Sequence, residues 1–191
     1  ASLHNFSQPL LSLLFGRYIS KVYILSIVET ERLYICEITD KDSVALRLVL
    51  SDPEIMKYSI VGVHSDEDIT KYIANCKQQY TVKGYGQWAV FSKTDNIFVG
   101  ICGLNSHLVE SDELLHVSYR LSLSEQGKGF ASEATSGVVK FCKNTLKRKN
   151  ISALIDPNNL PSIKVANRSG FSFLKSSNIQ GFDVDIYQVN F

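Results

Sequence analysis

The sequence predicts a single α/β domain built on a mixed β-sheet of about seven strands with flanking helices. The chain has 191 residues, of which 45% are hydrophobic; this suffices for one substantial core but not for two large domains. Segments with the alternation of strands are interleaved with segments of helical periodicity. Their order is strand, helices, three strands, helix, strand, helix and two strands, with no repeat or Pro/Gly-rich linker between them.

Seven short segments have the composition of β-strands. They are rich in β-branched and aromatic residues and are bounded by turn-forming residues. A TDN turn between the second and third segments predicts a β-hairpin. The predicted strands cover residues 32–38, 87–93, 97–104, 113–123, 151–155, 171–176 and 181–191.

Capping residues mark the predicted helices. Pro53 suits the first position of a short helix, and Ser65 with Asp68 three residues later forms an acidic variant of the capping box. Gly170 is typical of a helix stop. The predicted helical segments cover residues 39–52, 52–58, 65–80, 129–148 and 161–169.

Charge and cysteine usage argue against several classes of protein. Twenty Lys and Arg against nineteen Asp and Glu give a net charge of +1, whereas nucleic-acid-binding domains usually carry a clear basic excess. The basic run at residues 140–149 fits the end of a helix better than a polyanion site. The four cysteines lack zinc-binding spacing and indicate small buried apolar residues in a protein of the reducing cytoplasm. No metal site is predicted.

The domain is predicted to span residues 29–191, preceded by an extension over residues 1–28. Residues 9–28 are mostly apolar and long enough to span a bilayer. However, Arg17 and Lys21 lie mid-segment, where each charge costs about 2.5–3.5 kcal/mol, and no positive charge precedes the segment as in a signal peptide. The preferred interpretation is an amphipathic helix on the domain or a partner, ahead of a start-site artefact and a membrane anchor.

The segment SEQGKGFASEA, residues 124–134, is the strongest candidate for a binding site. Gly127 and Gly129 lie between a predicted strand and a predicted helix, and Lys128 adds a positive charge. Because the first amides of a helix lack internal partners, this arrangement predicts a phosphate site, with a simple turn as the alternative. The ATP-binding pattern GxxxxGK[ST] is absent, and Ser132 replaces the third glycine of a dinucleotide fingerprint.

Seven segments in the right order resemble the GNAT superfamily of N-acetyltransferases, and within it the RimJ/RimL type that acetylates ribosomal-protein N-termini. QGKGFA matches the pyrophosphate motif Q/R-x-x-G-x-G/A through Gln126, Gly129 and Ala131. The resemblance runs from about Glu29 to Phe191. Its other segments are ETERLYICEITDKD, DPEIMKY, GYGQWAV, VGICGL, VSYRLS and DPNNLPSIKVANRSGF.

The resemblance implies the GNAT fold, in which two central strands of a twisted sheet splay apart, and acetyl-CoA as the co-substrate. The pantetheine arm would lie in the gap against strand backbone, and the pyrophosphate would bind amides of the glycine-containing loop. The residues implied in cofactor binding are Tyr119, Arg120, Leu121, Gln126, Gly127, Lys128, Gly129, Phe130, Ala131 and Asn159.

The implied chemistry is direct attack of an amine on the acetyl thioester. It is helped by a base, an oxyanion donor and a proton for the thiolate. Many family members have a strand glutamate where this chain has His116, so a neutral imidazole, acting directly or through water, is the candidate base, with a structural histidine as the alternative. Ser162 is a candidate proton donor or a helix cap. Glu133 and Glu113 are reserve bases, and Glu133 also suits a helix N-terminus.

These observations predict an acetyl-CoA-dependent N-acetyltransferase. The acceptor would be a protein N-terminal α-amine or a small amine such as a polyamine, an amino acid or an antibiotic, selected by residues 52–65 and 104–112. The alternatives are a degenerate acyl-CoA-binding module without turnover and a nucleotide-binding regulator. No nucleic-acid partner is expected, membrane association is disfavoured, and a homodimer is compatible with the sequence. Trp88 is expected in the core or in the acceptor cleft.

Overall fold

The computed structural model describes residues 25–109 and 112–191, in which five α-helices lie around one eight-stranded sheet. Short 3₁₀ turns cover Asp40–Asp42 and Leu123–Glu125. The strands are β1 (Ser26–Glu29), β2 (Leu33–Glu37), β3 (Gln87–Ser92), β4 (Phe98–Val109), β5 (Asp112–Leu121), β6 (Asn150–Ile155), β7 (Ser172–Ile179) and β8 (Phe182–Asn190). The helices are α1 (Ser43–Leu50), α2 (Pro53–Met56), α3 (Asp66–Lys83), α4 (Phe130–Asn144) and α5 (Leu160–Arg168).

The strands form one mixed sheet in the order β1-β2-β3-β4-β5-β6-β8-β7. β5 and β6 are parallel, and every other neighbouring pair is antiparallel. The predicted mixed α/β fold is therefore confirmed, with one strand more than the seven expected. The parallel pair stands near the middle of the sheet and is connected through helix α4.

Strand β1 corrects the prediction for the end of the apolar N-terminal segment. The helix predicted over residues 9–28 falls outside the described residues except at its end, where Ser26–Glu29 forms a strand instead. Val28 pairs with Ile35 and Glu29 with Tyr34 on the edge of β2. The free edge of β2 supplies backbone partners that a local helical pattern does not reveal. Strand β1 therefore begins three residues before Glu29, the residue at which the domain was predicted to start.

Helix starts follow the predicted capping chemistry. Ser65 Oγ accepts a hydrogen bond from the Asp68 amide at 3.2 Å, and Asp68 Oδ2 accepts one from the Ser65 amide at 3.0 Å. Asp52 caps α2 ahead of Pro53, accepting from the amide of Glu54 at 2.8 Å. These bonds satisfy amides that have no partner within the helix and so fix where α2 and α3 begin.

An apolar layer covers each face of the sheet. On one face α4 packs on a core that contains Val117 and Leu121 of β5. On the other face α1 and α3 pack around Ala89 and Ile101. Of the two places expected for Trp88, the core and the acceptor cleft, the structure shows the core: it is 1% exposed.

The cysteines also lie within these layers. Cys36, Cys76, Cys102 and Cys142 are all buried and unpaired, as predicted. Burial raises the pKa of the Cys36 and Cys76 thiols to about 11, so these side chains behave as small apolar residues. Within residues 25–109 and 112–191, no helix combines the length and the apolar character needed to cross a membrane.

Candidate active site

Strands β5 and β6 separate after two rungs of parallel pairing. His116 pairs with Ser152 and Val117 with Ala153, and the pairing ends there. A cavity of about 500 Å³ opens in the gap. Its walls come from the carboxyl ends of both strands, the start of α4, helix α5 and residues 54–59. The splayed strands predicted for this fold are therefore present.

The loop after β5 brings backbone groups to this cavity. Gly127 and Gly129 have φ values of 76° and 84°, in the left-handed region that favours glycine. Helix α4 begins at Phe130, directly after Gly129, so its first amides lack intrahelical partners. Both glycines line the cavity, together with Phe130 and Ala131. Free amides and the helix dipole favour an anion at this position.

The polar side chains of the loop stabilise the loop itself. Gln126 Nε2 donates a 3.1 Å hydrogen bond to the Leu121 carbonyl. Lys128 Nζ lies 3.0 Å from each carboxylate oxygen of Glu125, and Lys128 is not among the described residues that line the cavity. The loop therefore presents backbone amides to the cavity, and the Lys128 charge is neutralised beside it.

Arg32 connects the start of α4 to the segment before β2. Its Nε lies 2.6 Å from Glu133 Oε2, its Nη1 donates to the Lys128 carbonyl at 3.1 Å, and its guanidinium carbon is 4.6 Å from the centroid of the Phe130 ring. Thr30 Oγ1 donates to Glu133 Oε1 at 2.5 Å. These contacts hold the loop in the conformation that exposes its amides.

Glu133 is an ionised partner in this network. Burial alone would raise its pKa, but hydrogen bonds from Thr30 and Arg32 outweigh that effect, and the pKa lies below its ordinary value. Glu133 does not line the cavity within the described structure. Its contacts explain its place on α4 without a part in proton transfer.

Helix α5 faces β5 across the gap. Asn159 Oδ1 accepts a hydrogen bond from the Ser162 amide at 3.2 Å, so Asn159 rather than Ser162 caps this helix. The Ser162 carbonyl accepts a hydrogen bond from the Tyr119 hydroxyl at 2.9 Å. Burial raises the pKa of Tyr119 above its ordinary value, so this hydroxyl keeps its proton at neutral pH. All three residues line the cavity.

His116 lies at the closed end of the gap. Its Nδ1 is shielded from solvent and has no hydrogen-bond partner. Burial lowers the pKa of His116 to about 4, against a smaller raising effect of the nearby Leu114 backbone, and His107 and Arg120 lower it further. The imidazole is therefore neutral at pH 7. His116 is not among the described lining residues, and Val117 is the first residue of β5 to reach the cavity.

Two acidic residues line the cavity. Glu54 Oε2 lies 3.5 Å from Lys57 Nζ, and Asp156 Oδ1 accepts hydrogen bonds from the amide and side chain of Asn158 at 2.8 and 3.1 Å. Asp156 also lines a second cavity of about 80 Å³ next to the first. Among the described residues there is no group of three or more His, Cys, Asp or Glu side chains arranged to hold a metal ion.

A family model described as an acetyltransferase (GNAT) domain matches residues 32–172. The match contains both splayed strands, the glycine loop and helix α5. This chain belongs to the GNAT acetyltransferase family. The family and the enzyme class that the sequence predicted are thereby confirmed.

Several known proteins resemble this GNAT acetyltransferase. The uncharacterized N-acetyltransferase p20 of Bacillus licheniformis is 27% identical over 165 residues, which are 83% of this chain and 91% of that protein. A GNAT-family acetyltransferase from Bacillus anthracis has 25% identity and a TM-score of 0.73 over 85% of this chain and 97% of its own. The ribosomal L7/L12 α-N-protein acetyltransferase RimL, solved with coenzyme A, has 19% identity and a TM-score of 0.70 over 84% and 95%. The last likeness, at 19% identity, concerns the fold.

Most of the residues that the sequence suggested for this GNAT site meet in one place. His116, Lys128 and Glu133 are outside the lining of the cavity, and Glu113 is exposed on β5. The suggested residues that line the cavity are Tyr119, Arg120, Leu121, Gln126, Gly127, Gly129, Phe130, Ala131, Asn159 and Ser162.

Two residues of this GNAT site were not identified from the sequence. Arg32 holds the loop, and Tyr58 lines the cavity and donates a 3.2 Å hydrogen bond to the Asn158 carbonyl. Both lie in segments that resemble the family, TERL and DPEIMKY, but their partners are about a hundred positions away in the chain. Only the tertiary structure joins them to the site.

Proposed function

We propose that this chain transfers the acetyl group of acetyl-CoA to a primary amine by direct attack in a ternary complex. The observation that carries the proposal is the continuity of one cavity from the unpaired end of β5 to the first amides of α4. Coenzyme A has matching chemistry, since its pyrophosphate suits helix-terminal amides and its pantetheine arm carries amides that can pair with strand backbone. Coenzyme A bound to RimL, a protein of the same fold, supports this choice.

The cofactor would extend along β5. The pyrophosphate would bind backbone amides of residues 126–131, where Lys128 and Glu125 neutralise each other and the helix dipole supplies the attraction. The pantetheine arm would bind the backbone of Tyr119 and Arg120. The Leu121 carbonyl already accepts a hydrogen bond from Gln126, which limits what it can offer a ligand.

His116 is proposed as the base, acting through water because it lies just beyond the cavity lining. A pKa of about 4 makes its imidazole a weak base that is nevertheless neutral over the working pH range. Such a base suits an α-amine, whose reference pKa of about 7.7–8.0 leaves much of it unprotonated near pH 8, better than a lysine-like amine near 10.4. We therefore favour an α-amino acceptor, from a protein N-terminus or a small molecule, over a polyamine.

The reaction also requires a donor for the oxyanion and a proton for the departing thiolate, and groups around the gap can supply both. A free backbone amide of β5 would stabilise the tetrahedral oxyanion. Ser162, which lines the cavity from α5, is the proposed proton donor to the departing thiolate. Tyr119 is less suited to that step, because its hydroxyl proton is already donated to the Ser162 carbonyl.

A screen of α-amino acids, peptides and polyamines with acetyl-CoA, read by release of the free thiol, tests the proposed function. Release with at least one acceptor class is expected. Calorimetric binding of acetyl-CoA without release from any acceptor would instead indicate the degenerate binding module. Tighter binding of ATP or NAD than of CoA would favour the nucleotide-binding regulator.

The role of His116 is tested with the best acceptor from that screen. His116→Ala is expected to lower kcat by roughly 10-fold or more with little change in acetyl-CoA affinity, because loss of a general base acts on the chemical step. Asp156→Asn is the matched comparison, since Asp156 is one of the two acidic residues that line the cavity. A larger loss of kcat in Asp156→Asn than in His116→Ala would transfer the role to Asp156.

A further inference from the structure

We propose that the amine acceptor carries a carboxylate close to its reacting amine, and that the guanidinium of Arg120 binds this carboxylate. The inference rests on the proposed acetyl transfer and names the chemical class of its acceptor. It also gives Arg120 a side-chain role distinct from the backbone contact suggested for the cofactor.

Arg120 points away from the face of the sheet on which α4 begins. Directly opposed residues of an antiparallel pair project to the same face. Arg120 is opposite Ile101, which belongs to the core under α1 and α3. Tyr119 is opposite Cys102, which belongs to the core under α4. The Arg120 guanidinium and the glycine loop therefore lie toward opposite faces of the sheet at the gap.

The Arg120 guanidinium has no carboxylate partner in the described structure. Its Nη2 donates a 3.1 Å hydrogen bond to Ser59 Oγ, and none of the ion pairs between described residues includes it. Burial lowers its pKa below the ordinary value, yet an arginine stays charged at neutral pH. A partly buried guanidinium with one hydrogen bond and no ion pair among the described residues has donors left to bind an anion in a bidentate manner. Because Arg120 lines the large cavity, a ligand can supply that anion.

The surroundings of Arg120 suit the acceptor rather than the cofactor. Its partner Ser59 lies in residues 52–65, where the sequence is expected to select the acceptor. A carboxylate at this position would meet the Arg120 guanidinium beside the Ser59 hydroxyl, and both residues line the cavity.

The direction of side chains along β5 is compatible with a short acidic peptide, and with an amino acid if water links its amine to His116. His116, Ser118 and Arg120 occupy alternate positions, so they project to the same face of the strand. Residues four apart on a strand are separated by about 13 Å, so an acceptor lying across Ser118 with its carboxylate on Arg120 would reach His116 through bridging water. This arrangement fixes the orientation of the amine before attack, which is how a binding charge contributes to catalysis.

The test compares acceptors with and without the carboxylate, with kcat/KM corrected for the unprotonated fraction of each amine because amidation also lowers the pKa of an α-amine. Amino acids are assayed against their α-carboxamides, and short peptides with glutamate at the second position against the same peptides with glutamine. Wild-type protein is expected to show at least tenfold higher kcat/KM for the carboxylate member of at least one pair. The amino-acid and peptide arms distinguish an α-carboxylate from an acidic side chain as the recognised group.

Arg120→Gln is expected to reduce that preference to near unity, mainly through KM, and Arg120→Lys to keep part of it. Circular dichroism and calorimetric titration with acetyl-CoA establish that each variant is folded; should Arg120→Gln fail to fold, the reduced preference is measured in Arg120→Lys. Ser59→Ala removes the hydrogen bond but keeps the charge and should retain the preference.

Three results would overturn the inference while leaving acetyl transfer intact. The first is an equal kcat/KM for the carboxylate and the amide member of every acceptor pair that is acetylated. The second is a preference for the carboxylate member that is unchanged in the Arg120 variants. The third is a preference that is lost as fully in Ser59→Ala as in Arg120→Gln. A tenfold loss of acetyl-CoA affinity in Arg120→Gln, with unchanged preference between acceptors, would indicate that the Arg120 guanidinium binds the cofactor. That result would also overturn the inference. Absence of turnover with every acceptor, despite acetyl-CoA binding, would overturn the proposed function and this inference together.

Discussion

The Tyr119 hydroxyl donates a 2.9 Å hydrogen bond to the Ser162 carbonyl and thereby joins strand β5 to helix α5 across the splayed part of the sheet. Backbone pairing between β5 and β6 has ended two residues earlier, at Val117 and Ala153. This side-chain hydrogen bond therefore links β5 to α5 where backbone pairing between β5 and β6 is absent and the β5 backbone faces the cavity. The contact connects the two walls between which the cofactor would lie.

Tyr119→Phe is expected to lower the free energy of unfolding by about 1 kcal/mol, because the Ser162 carbonyl loses its donor while the ring stays packed. Urea unfolding of wild type and variant measures this difference. Ser162→Ala is the matched control, since it keeps the backbone carbonyl and should leave stability within roughly 0.5 kcal/mol of wild type. Equal stability of Tyr119→Phe and wild type would show that the bond contributes nothing in solution.

His116→Gln is expected to make the protein less sensitive to acid. The folded pKa of about 4 lies below the unfolded value of 6.5, so between these values the unfolded chain binds more protons and wild-type stability falls as the pH falls. At about 1.4 kcal/mol per pH unit, the wild type should lose up to about 2 kcal/mol more than the variant between pH 7 and pH 5. Unfolding curves at both pH values check this, and parallel losses in the two proteins would contradict it.

Gly129→Asp is expected to weaken CoA binding at least tenfold, or about 1.4 kcal/mol, by placing a carboxylate among amides that would bind phosphate. A Cβ at Gly129 would lie 3.4 Å from Arg32 Nη2, so the new carboxylate also competes with Glu133 for Arg32. Calorimetric titration with CoA measures the affinity.

Gly181→Asp is the control for this substitution. Gly181 has a similar φ of 90° and open space around its Cα, but it lies in the turn between β7 and β8. Both variants should lose on the order of 1 kcal/mol of stability from backbone strain, and only Gly129→Asp should lose affinity. A folded Gly129→Asp protein that binds CoA as tightly as wild type would refute the phosphate site.

A chain that begins at residue 25 is expected to bind acetyl-CoA like the full chain, whereas one that begins at residue 30 should be less stable. Strand β1 packs closely on α4: a Cβ at Gly137 would lie 3.0 Å from Val28 Cγ1 and 2.9 Å from Thr30 Cγ2. Removing β1 uncovers that surface and the edge of β2. Thermal unfolding and calorimetry of both chains measure the effect. Equal stability of the two would mean that β1 adds nothing to the domain, and lost binding by a folded chain beginning at residue 25 would assign the preceding residues a role in the site.

The order of elements from β2 onward was predictable because it depends on local properties. Alternation marked the strands, and capping side chains such as Ser65 and Asp68 marked helix starts. Strand β1 was missed because its pairing partner, the edge of β2, is not visible in four residues of local sequence. The 3₁₀ turn Leu123–Glu125 was likewise assigned in part to the preceding strand.

The sequence by itself determined the conformation of the loop at residues 126–131, because positive φ at Gly127 and Gly129 and the free amides of a helix start are local consequences of residue type and order. Only the tertiary structure decided what surrounds that loop. In the folded chain Glu133 pairs with Arg32, and burial lowers the pKa of His116 to about 4. The Arg120 side chain projects to the face of the sheet opposite that of Tyr119. These outcomes depend on burial and on partners distant in the chain, because charge, desolvation and hydrogen bonding act through space and leave no periodic trace in the sequence.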